Sequence, residues 1–515
     1  MYCSSQELGR SIGVLLHPSA LPLSPAFGSF GSPAREWIKA LAINGIGVWQ
    51  FLPLAPCDST GSPYSSPSSF ALNPCFLDAK DLVKDGFLSS SVIQDLPGSK
   101  HLHKISVNFS LAQERSEKLG QILREEWPNQ ASDIHRDFNL WCQKQFWLED
   151  HVVFMEIRRQ FEGLPWWKWP KPLALRNPIS LSCWKREHKK SLLEHRLLQW
   201  HLDRQWNALR KLASELGVLL FGDLPFYVSR DSADVWSKRS LFSILPSGEL
   251  EHQSGVPPDY FSATGQLWGT PVYKWSQHRA THFYWWRKRF SRHLQQVDLL
   301  RLDHFRALES YWAVPGNKTT AVDGFWKPSP GSDLLRLLRN DCGGTLPLVA
   351  EDLGVITSEV EELRDEFGLP GMKILQFGFN GDANNPYLPE NIQGNAWVVY
   401  TGTHDNPTTL GWWDSLDIET KDRINQRSTR SIDSPGWKLI EMGLKTDARL
   451  VVAPLQDLLS LDNKARFNTP GTIENNWNWR LTTLDSHLLK ALKDYGERGI
   501  LSGRSLEGAI GLFDS

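Results

Sequence analysis

Four acidic residues stand where short apolar runs stop. Asp223 follows Gly217-Val-Leu-Leu-Phe-Gly222, and Asp303 follows Asp298-Leu-Leu-Arg-Leu302. Glu351 follows Pro347-Leu-Val-Ala350, and Asp405 lies four residues past the run Ala396 to Thr401, after Gly402-Thr403-His404. Alternation along a strand puts Arg301 and Asp303 on one face, and an adjacent guanidinium keeps a carboxylate ionised, as a nucleophile needs. Two carboxyl groups of different pKa, one charged and one protonated near neutral pH, are what glycosidic-bond chemistry requires. In a retaining enzyme they stand about 5–5.5 Å apart, and neighbouring strands at about 4.8 Å can place Asp303 and Glu351 so.

The elements that must position these acids are eight β-branched or Leu-rich runs, each ending abruptly in a polar or turn residue. They are Ser11 to His17, Gly47 to Leu54, Gly217 to Asp223, Asp298 to Asp303, Pro347 to Asp352, Met372 to Phe379, Ala396 to Thr401 and Arg449 to Pro454. Helical patterns such as Asp333 to Arg339 and Ser358 to Glu366 fall between them. Repeated strand-then-helix with near-continuous apolar strands predicts a parallel sheet covered on both faces, and eight repeats fit a closed (β/α)8 barrel, whose chemistry sits at the C-terminal strand ends. The rival is an open doubly wound sheet, but the Gly-x-Gly-x-x-Gly expected after its first strand is missing.

The spacing is uneven. About 160 residues separate the second run from the third, too many for a structureless loop. Leu111 to Trp127, Phe138 to Phe161 and Leu192 to Leu216 have helical spacing, with a breaker at Leu164-Pro-Trp-Trp-Lys-Trp-Pro170. The expected organisation is one catalytic barrel over 1–515, with a helical insertion at about 80–210 and an aromatic, loop-like insertion at about 229–290 over the site. Only 61 residues follow the eighth run, little room for a separate C-terminal β domain.

Composition narrows the partners. The 515 residues carry 56 Lys+Arg against 58 Asp+Glu, a net charge of −2 that gives a nucleic acid no bulk electrostatic hold. No apolar run reaches the roughly 18 residues of a membrane span, and Gly13-Val-Leu-Leu16 is too short for a signal core, so no membrane partner is expected. Six cysteines without a Cys-x-x-Cys pair read as thiols of a reducing cytoplasm. Tryptophan is the oddity: 24 residues, as many as Phe. Most belong in a core, but flat amphipathic rings also suit stacking on sugars.

Other chemistries lack their signatures. His304 and His404 each flank an Asp, which suggests zinc, yet the lone His-x-His pair, His101 and His103, falls in the inserted region, and no His-Glu-x-x-His occurs. There is no phosphate loop and no Gly-x-Ser-x-Gly elbow. No metal and no cofactor are expected.

At these residues the chain resembles the 4-α-glucanotransferases (amylomaltase, or disproportionating enzyme) of glycoside hydrolase family 77, over nearly its whole length. Gly61-Ser-Pro-Tyr64 with Ala71-Leu-Asn-Pro74 is similar to the family's first loop motif, and Asp223-Leu-Pro with Asp231-Ser-Ala-Asp-Val-Trp236 to its third-strand block. The stretch Gly255 to Gly269 is similar to the loop that closes over the glucan. Arg301-Leu-Asp-His-Phe-Arg306, Ala350-Glu-Asp-Leu-Gly354 and Thr403-His-Asp-Asn406 resemble the catalytic blocks, and Arg466-Phe-Asn-Thr-Pro-Gly471 with Asn476-Trp-Asn-Trp-Arg480 the last.

The resemblance implies Asp303 as nucleophile, Glu351 as general acid/base and Asp405 as a third carboxylate holding the 2- and 3-hydroxyls of a distorted sugar. Arg301, His404, Asp223 and Trp268 would line the donor pocket, with Tyr64, Gln266 and Asn468 in the same groove. The Tyr260 to Gly269 segment would cover it. Substrates would be α-1,4-glucans and maltooligosaccharides, with glucose as an acceptor. Three positions depart from the family. Ala307 and Asn475 stand where Gly is common, Asn being tolerant of positive φ, and Thr270 replaces a frequent Asn, which bears on acceptor preference. An α-amylase-type hydrolase would use the same acids with water attacking. A non-catalytic glucan binder would keep the tryptophans and lose the acids, all of which are here.

Overall fold

The computed structural model describes residues 10–99, 106–258, 262–428 and 434–504. Its strands, in chain order, are β1 (Ser11–Leu15), β2 (Val48–Gln50), β3 (Leu219–Leu224), β4 (His252–Val256), β5 (Gln266–Pro271), β6 (Leu299–Leu302), β7 (Ser310–Pro315), β8 (Phe325–Pro328), β9 (Leu348–Ala350), β10 (Gly371–Ile374), β11 (Trp397–Tyr400) and β12 (Leu450–Pro454).

Eight of these form one sheet in the order β10-β11-β12-β1-β2-β3-β6-β9. All eight lie within the eight apolar runs or, for β10 and β3, one residue past an end. Every pairing in the sheet is parallel, from Ser11 opposite Leu450 through Leu302 opposite Ala350. The remaining edges meet where the Ala350 N–H donates to the Pro370 carbonyl at 2.8 Å and the Met372 N–H donates to Asp352 at 2.7 Å. The sheet therefore closes as a (β/α)8 barrel and is not the open doubly wound rival. Its strands read as unbroken apolar runs because helices cover the outside while side chains fill the inside.

The long stretch between β2 and β3 is helical. Phe109–Glu126, Ser132–Lys144 and Leu148–Gln160 lead to a 27-residue helix, Lys189–Glu215, that runs into β3. The stretch Phe138 to Phe161, which has one helical periodicity, is two helices. The chain breaks at Gln145 to Trp147, and the break buries the Trp147 ring beneath the Arg292 guanidinium at 5.3 Å.

The larger difference concerns 229–290. The sequence there reads as loop, but it holds β4 and β5, which join β7 and β8 in an antiparallel sheet of order β5-β4-β7-β8. The edge strands β5 and β8 are largely exposed, so they lack an apolar run, and β4 pairs with a strand 59 positions on, Ser254 opposite Ala313. Gly255 permits the close approach of β5, since a Cβ there would lie 2.2 Å from the Gln266 carbonyl oxygen. Tyr260 lies outside the described residues, as do His101 and His103. Among the described residues no helix is long and apolar enough to cross a membrane.

Candidate active site

The acids gather because parallel strands in register deliver their next residues side by side. Asp223 in β3 is opposite Arg301 in β6, and Leu302 is opposite Ala350, so Asp303 and Glu351 are the first residues past two paired positions. Backbone bonds carry the register onward: the Asp303 N–H donates to Leu224 and the Glu351 N–H to Leu302, both at 3.1 Å.

One guanidinium joins two of the acids. Arg301 is buried, and its Nη1 donates to Asp223 Oδ2 and its Nη2 to Asp303 Oδ1, each at 2.7 Å. Tyr64 extends the chain of contacts. Its hydroxyl donates to Asp223 Oδ2 at 2.6 Å and lies 2.9 Å from His404 Nε2, while the two rings stack at 5.3 Å. His404 Nε2 lies 3.3 Å from Asp405 Oδ1, and that oxygen accepts from Asn468 Nδ2 at 2.6 Å. Seven of the sequence-predicted residues thus form one continuous polar path around the barrel mouth: Asn468, Asp405, His404, Tyr64, Asp223, Arg301 and Asp303.

Glu351 joins through the backbone. His304, directly after Asp303, takes a left-handed conformation with φ of 53°, and its N–H donates to Glu351 Oε2 at 2.7 Å. A non-glycine residue in that region costs energy and marks a place where the surroundings over-determine the chain. Trp268 Nε1 donates to Gln266 Oε1 at 3.3 Å, and the Trp268 ring meets the His304 ring edge-on at 4.8 Å. The antiparallel sheet therefore brings the last two predicted residues to His304, the residue after Asp303.

The electrostatics separate the acids. Burial pushes the Glu351 carboxyl up to about 8; the Asp303 charge adds to the rise, while Arg301 and the His304 N–H oppose it. Burial also raises Asp223 against the pull of Arg301. Tyr64 is raised well above its ordinary value, chiefly by burial, and stays a hydroxyl donor. Burial lowers His304 to about 4, so its ring is neutral at pH 7. A protonated carboxyl on one strand beside an arginine-held aspartate on the next is an arrangement for acid-assisted displacement at an anomeric carbon.

Several contributors had no role in the sequence reading. Arg466 donates to the Asp405 carbonyl at 2.6 Å and to the Asn468 carbonyl at 2.7 Å. Trp477 backs Tyr64 and His404 at 5.8 and 6.0 Å. Both lie in the last motif, which flagged the segment but not the side chains. Tyr227, within 6.2 Å of Trp268 and His304, follows Asp223-Leu-Pro-Phe226 and gave no signal of its own. Asn475 takes a φ of 60°, a left-handed conformation that Asn tolerates better than most residues. Among the described residues no group of three or more His, Cys, Asp or Glu side chains is placed to hold a metal ion.

A family model described as 4-alpha-glucanotransferase (Glyco_hydro_77) matches residues 16–485. A 4-alpha-glucanotransferase of Synechocystis sp. is 42% identical over 498 residues, spanning 95% of this chain and 98% of that protein. One from Thermus thermophilus is 40% identical over 498 residues, spanning 92% and 95%. The fold is similar to that of amylomaltase from Streptococcus agalactiae, solved in complex with acarbose, with a TM-score of 0.91, 30% identity, and coverage of 96% of this chain and 100% of that one.

Proposed function

Since this chain belongs to the 4-alpha-glucanotransferase family of glycoside hydrolase family 77, we propose how its own residues divide the work of moving an α-1,4-glucan segment onto the 4-hydroxyl of another glucan. Asp303 is the nucleophile. Its carboxylate oxygen attacks the anomeric carbon as Glu351 gives its proton to the departing glycosidic oxygen. The leaving glucan departs with a free 4-hydroxyl, and the donor remains as a glycosyl ester of Asp303. Glu351, now a carboxylate, takes the proton of the incoming 4-hydroxyl, whose oxygen attacks the anomeric carbon and frees Asp303.

The observation that carries this division is the sharing of one guanidinium. Arg301 bonds Asp303 directly, while Glu351, on the neighbouring strand, has only a backbone N–H and is raised to about 8. Glu351 thereby holds its proton at neutral pH and can donate it, and Asp303 is oriented as the attacking group. Asp405, fixed through Oδ1 by Asn468, is left with Oδ2 for the hydroxyls of the bound sugar. Asp223, Tyr64, Arg301 and His404 line the donor pocket, with Gln266 and Trp268 above it.

The organisation that fits this reading is one catalytic barrel, with the insertion at about 80–210 walling one side and that at about 229–290 covering the site. Transfer outruns hydrolysis when an acceptor is bound and oriented while water is kept away. Acceptors include glucose as well as maltooligosaccharides. Cys57, Cys75, Cys142 and Cys183 are free thiols, which supports a cytoplasmic setting. Maltotriose as sole substrate tests the reading. It should yield glucose and a ladder of longer α-1,4-glucans with total reducing ends nearly constant, since each transfer breaks one bond and makes one. Reducing ends that rise in step with donor consumption, without longer products, would make the enzyme a hydrolase.

A further inference from the structure

Of the 24 tryptophans, all within the described residues, two stand exposed: Trp268 at 37% and Trp326 at 40%. Both lie on the antiparallel sheet, on its opposite edge strands β5 and β8. Trp268 has a place in the groove proposed above. Trp326 has none, and a large aromatic ring left in water on a well-packed protein marks a contact surface.

Trp326 is held firmly. The Arg306 guanidinium lies over its ring at 3.9 Å, and Trp312, opposite it across β7 and β8, meets it edge-to-face at 5.2 Å. Trp312 is itself fixed by its Nε1 donating to the Ala321 carbonyl at 2.8 Å. Arg306 is the link to the chemistry. It lies three residues past Asp303, and its Nη1 donates to the carbonyl of Val355, four residues past Glu351. One guanidinium therefore ties the exposed indole to both segments that present the reacting carboxyls. Arg306 is itself buried, at 8% exposed, so an anion approaching this surface would meet the ring rather than the charge. A neutral polymer of pyranose rings, with apolar C–H faces, matches a pinned and uncharged aromatic platform.

We propose that Trp326 is a stacking platform for the acceptor glucan, at least one sugar beyond the unit that supplies the attacking 4-hydroxyl. This rests on the reading that Glu351 deprotonates that hydroxyl, because the Glu351 segment runs out of the site to the Arg306 and Trp326 contact. Pre-positioned, low-entropy aromatic area holds a chain without reading its ends.

The test fixes the donor and varies the acceptor through glucose, maltose, maltotriose and maltotetraose, for the native enzyme and for Trp326→Ala and Trp326→Phe. The readout is the ratio of kcat/KM for maltotetraose to that for glucose, which does not depend on the fraction of a sample that is folded. Trp326→Ala should lower this ratio by about 3- to 10-fold, with Trp326→Phe between it and native, as loss of one aromatic contact implies. An equal loss on every acceptor would make Trp326 an anchor of the sheet and overturn the proposal, as would an unchanged ratio. A native enzyme that gives no longer products at all would instead overturn the transferase reading, whatever the variants do.

Discussion

Two clusters of buried charge in this molecule use the same side chains to opposite ends. In the helical insertion, Glu156 is fully buried and accepts from Arg159 at 2.6 Å, Gln160 at 2.9 Å and His195 at 3.2 Å. Its neighbour Glu194 is met by Arg124 at 3.1 Å and Arg159 at 3.4 Å. Burial alone would raise Glu156, but the hydrogen bonds from His195, Arg159 and Gln160 outweigh it and bring the group down to about 2. At the barrel mouth the single guanidinium of Arg301 bonds Asp223 and Asp303 but not Glu351, and burial carries Glu351 up to about 8. Where cations match carboxylates, burial yields a settled structural charge. Where one cation is divided among several, one carboxyl must hold its proton, and a retained proton next to a carboxylate can be delivered.

The contrast breaks if neutralising a charge has the same consequence in both places. The largest expected effect is at the mouth. Asp303→Asn keeps the shape and removes the attacking oxygen, so transfer should fall by at least about 10³-fold with the melting temperature not lowered. A variant keeping a tenth of native transfer would remove Asp303 from the mechanism.

In the insertion the cost should fall on stability. Glu156→Gln leaves Arg159 and His195 facing an amide in a buried site and should destabilise the fold by about 2–4 kcal/mol at pH 7, with turnover per folded molecule little changed. The sign follows from the lowered pKa. Glu156 binds its proton more weakly folded than unfolded, so its stabilisation is present above the ordinary carboxyl range of about 4.3 and is lost as pH falls towards 2. Urea melts of both proteins from pH 7 down to pH 3 should therefore converge; a gap that widens in acid would contradict this.

Glu351 should show the reverse sign. Its folded pKa is raised, so the proton is held more tightly folded than unfolded, and the associated stability, full below about 4.3, is lost as pH rises through about 8. The first-order rate on maltotriose should fall above that pH by about tenfold per unit, because the acid form is the donor. A smaller consequence is that Glu351→Gln should be more stable than native at pH 9, by on the order of 1–2 kcal/mol. An alkaline limb that persists in the residual activity of Glu351→Gln would assign the titration to another group.

The same contrast explains what the sequence disclosed. Barrel strands are buried on both faces, so runs such as Arg449 to Pro454 and Pro347 to Asp352 stand out as unbroken apolar segments with polar ends. Those ends are where the acids sit, which is why Asp303, Glu351 and Asp405 could be named from spacing and motif. The sheet of β4, β5, β7 and β8 left no such trace. Its edge strands β5 and β8 are largely exposed, and β4 and β7 pair across the intervening β6, a contact no local pattern records. The left-handed turn at His304, the carbonyl bonds made by Arg466 and the exposed ring of Trp326 depend on packing between distant segments, so residue type alone could not distinguish them from their neighbours.

The division of labour between Asp303 and Glu351 can be tested in one experiment. Glu351→Gln, given an α-maltosyl fluoride donor whose leaving group needs little proton assistance, should form the glycosyl ester yet discharge it slowly, because no base remains to activate the acceptor. Rapid acid quench followed by intact-mass and peptide mapping should show one maltosyl unit per chain, on the peptide that carries Asp303. An adduct on the Asp405 peptide, or full turnover of the fluoride by Glu351→Gln without any adduct, would contradict the assignment.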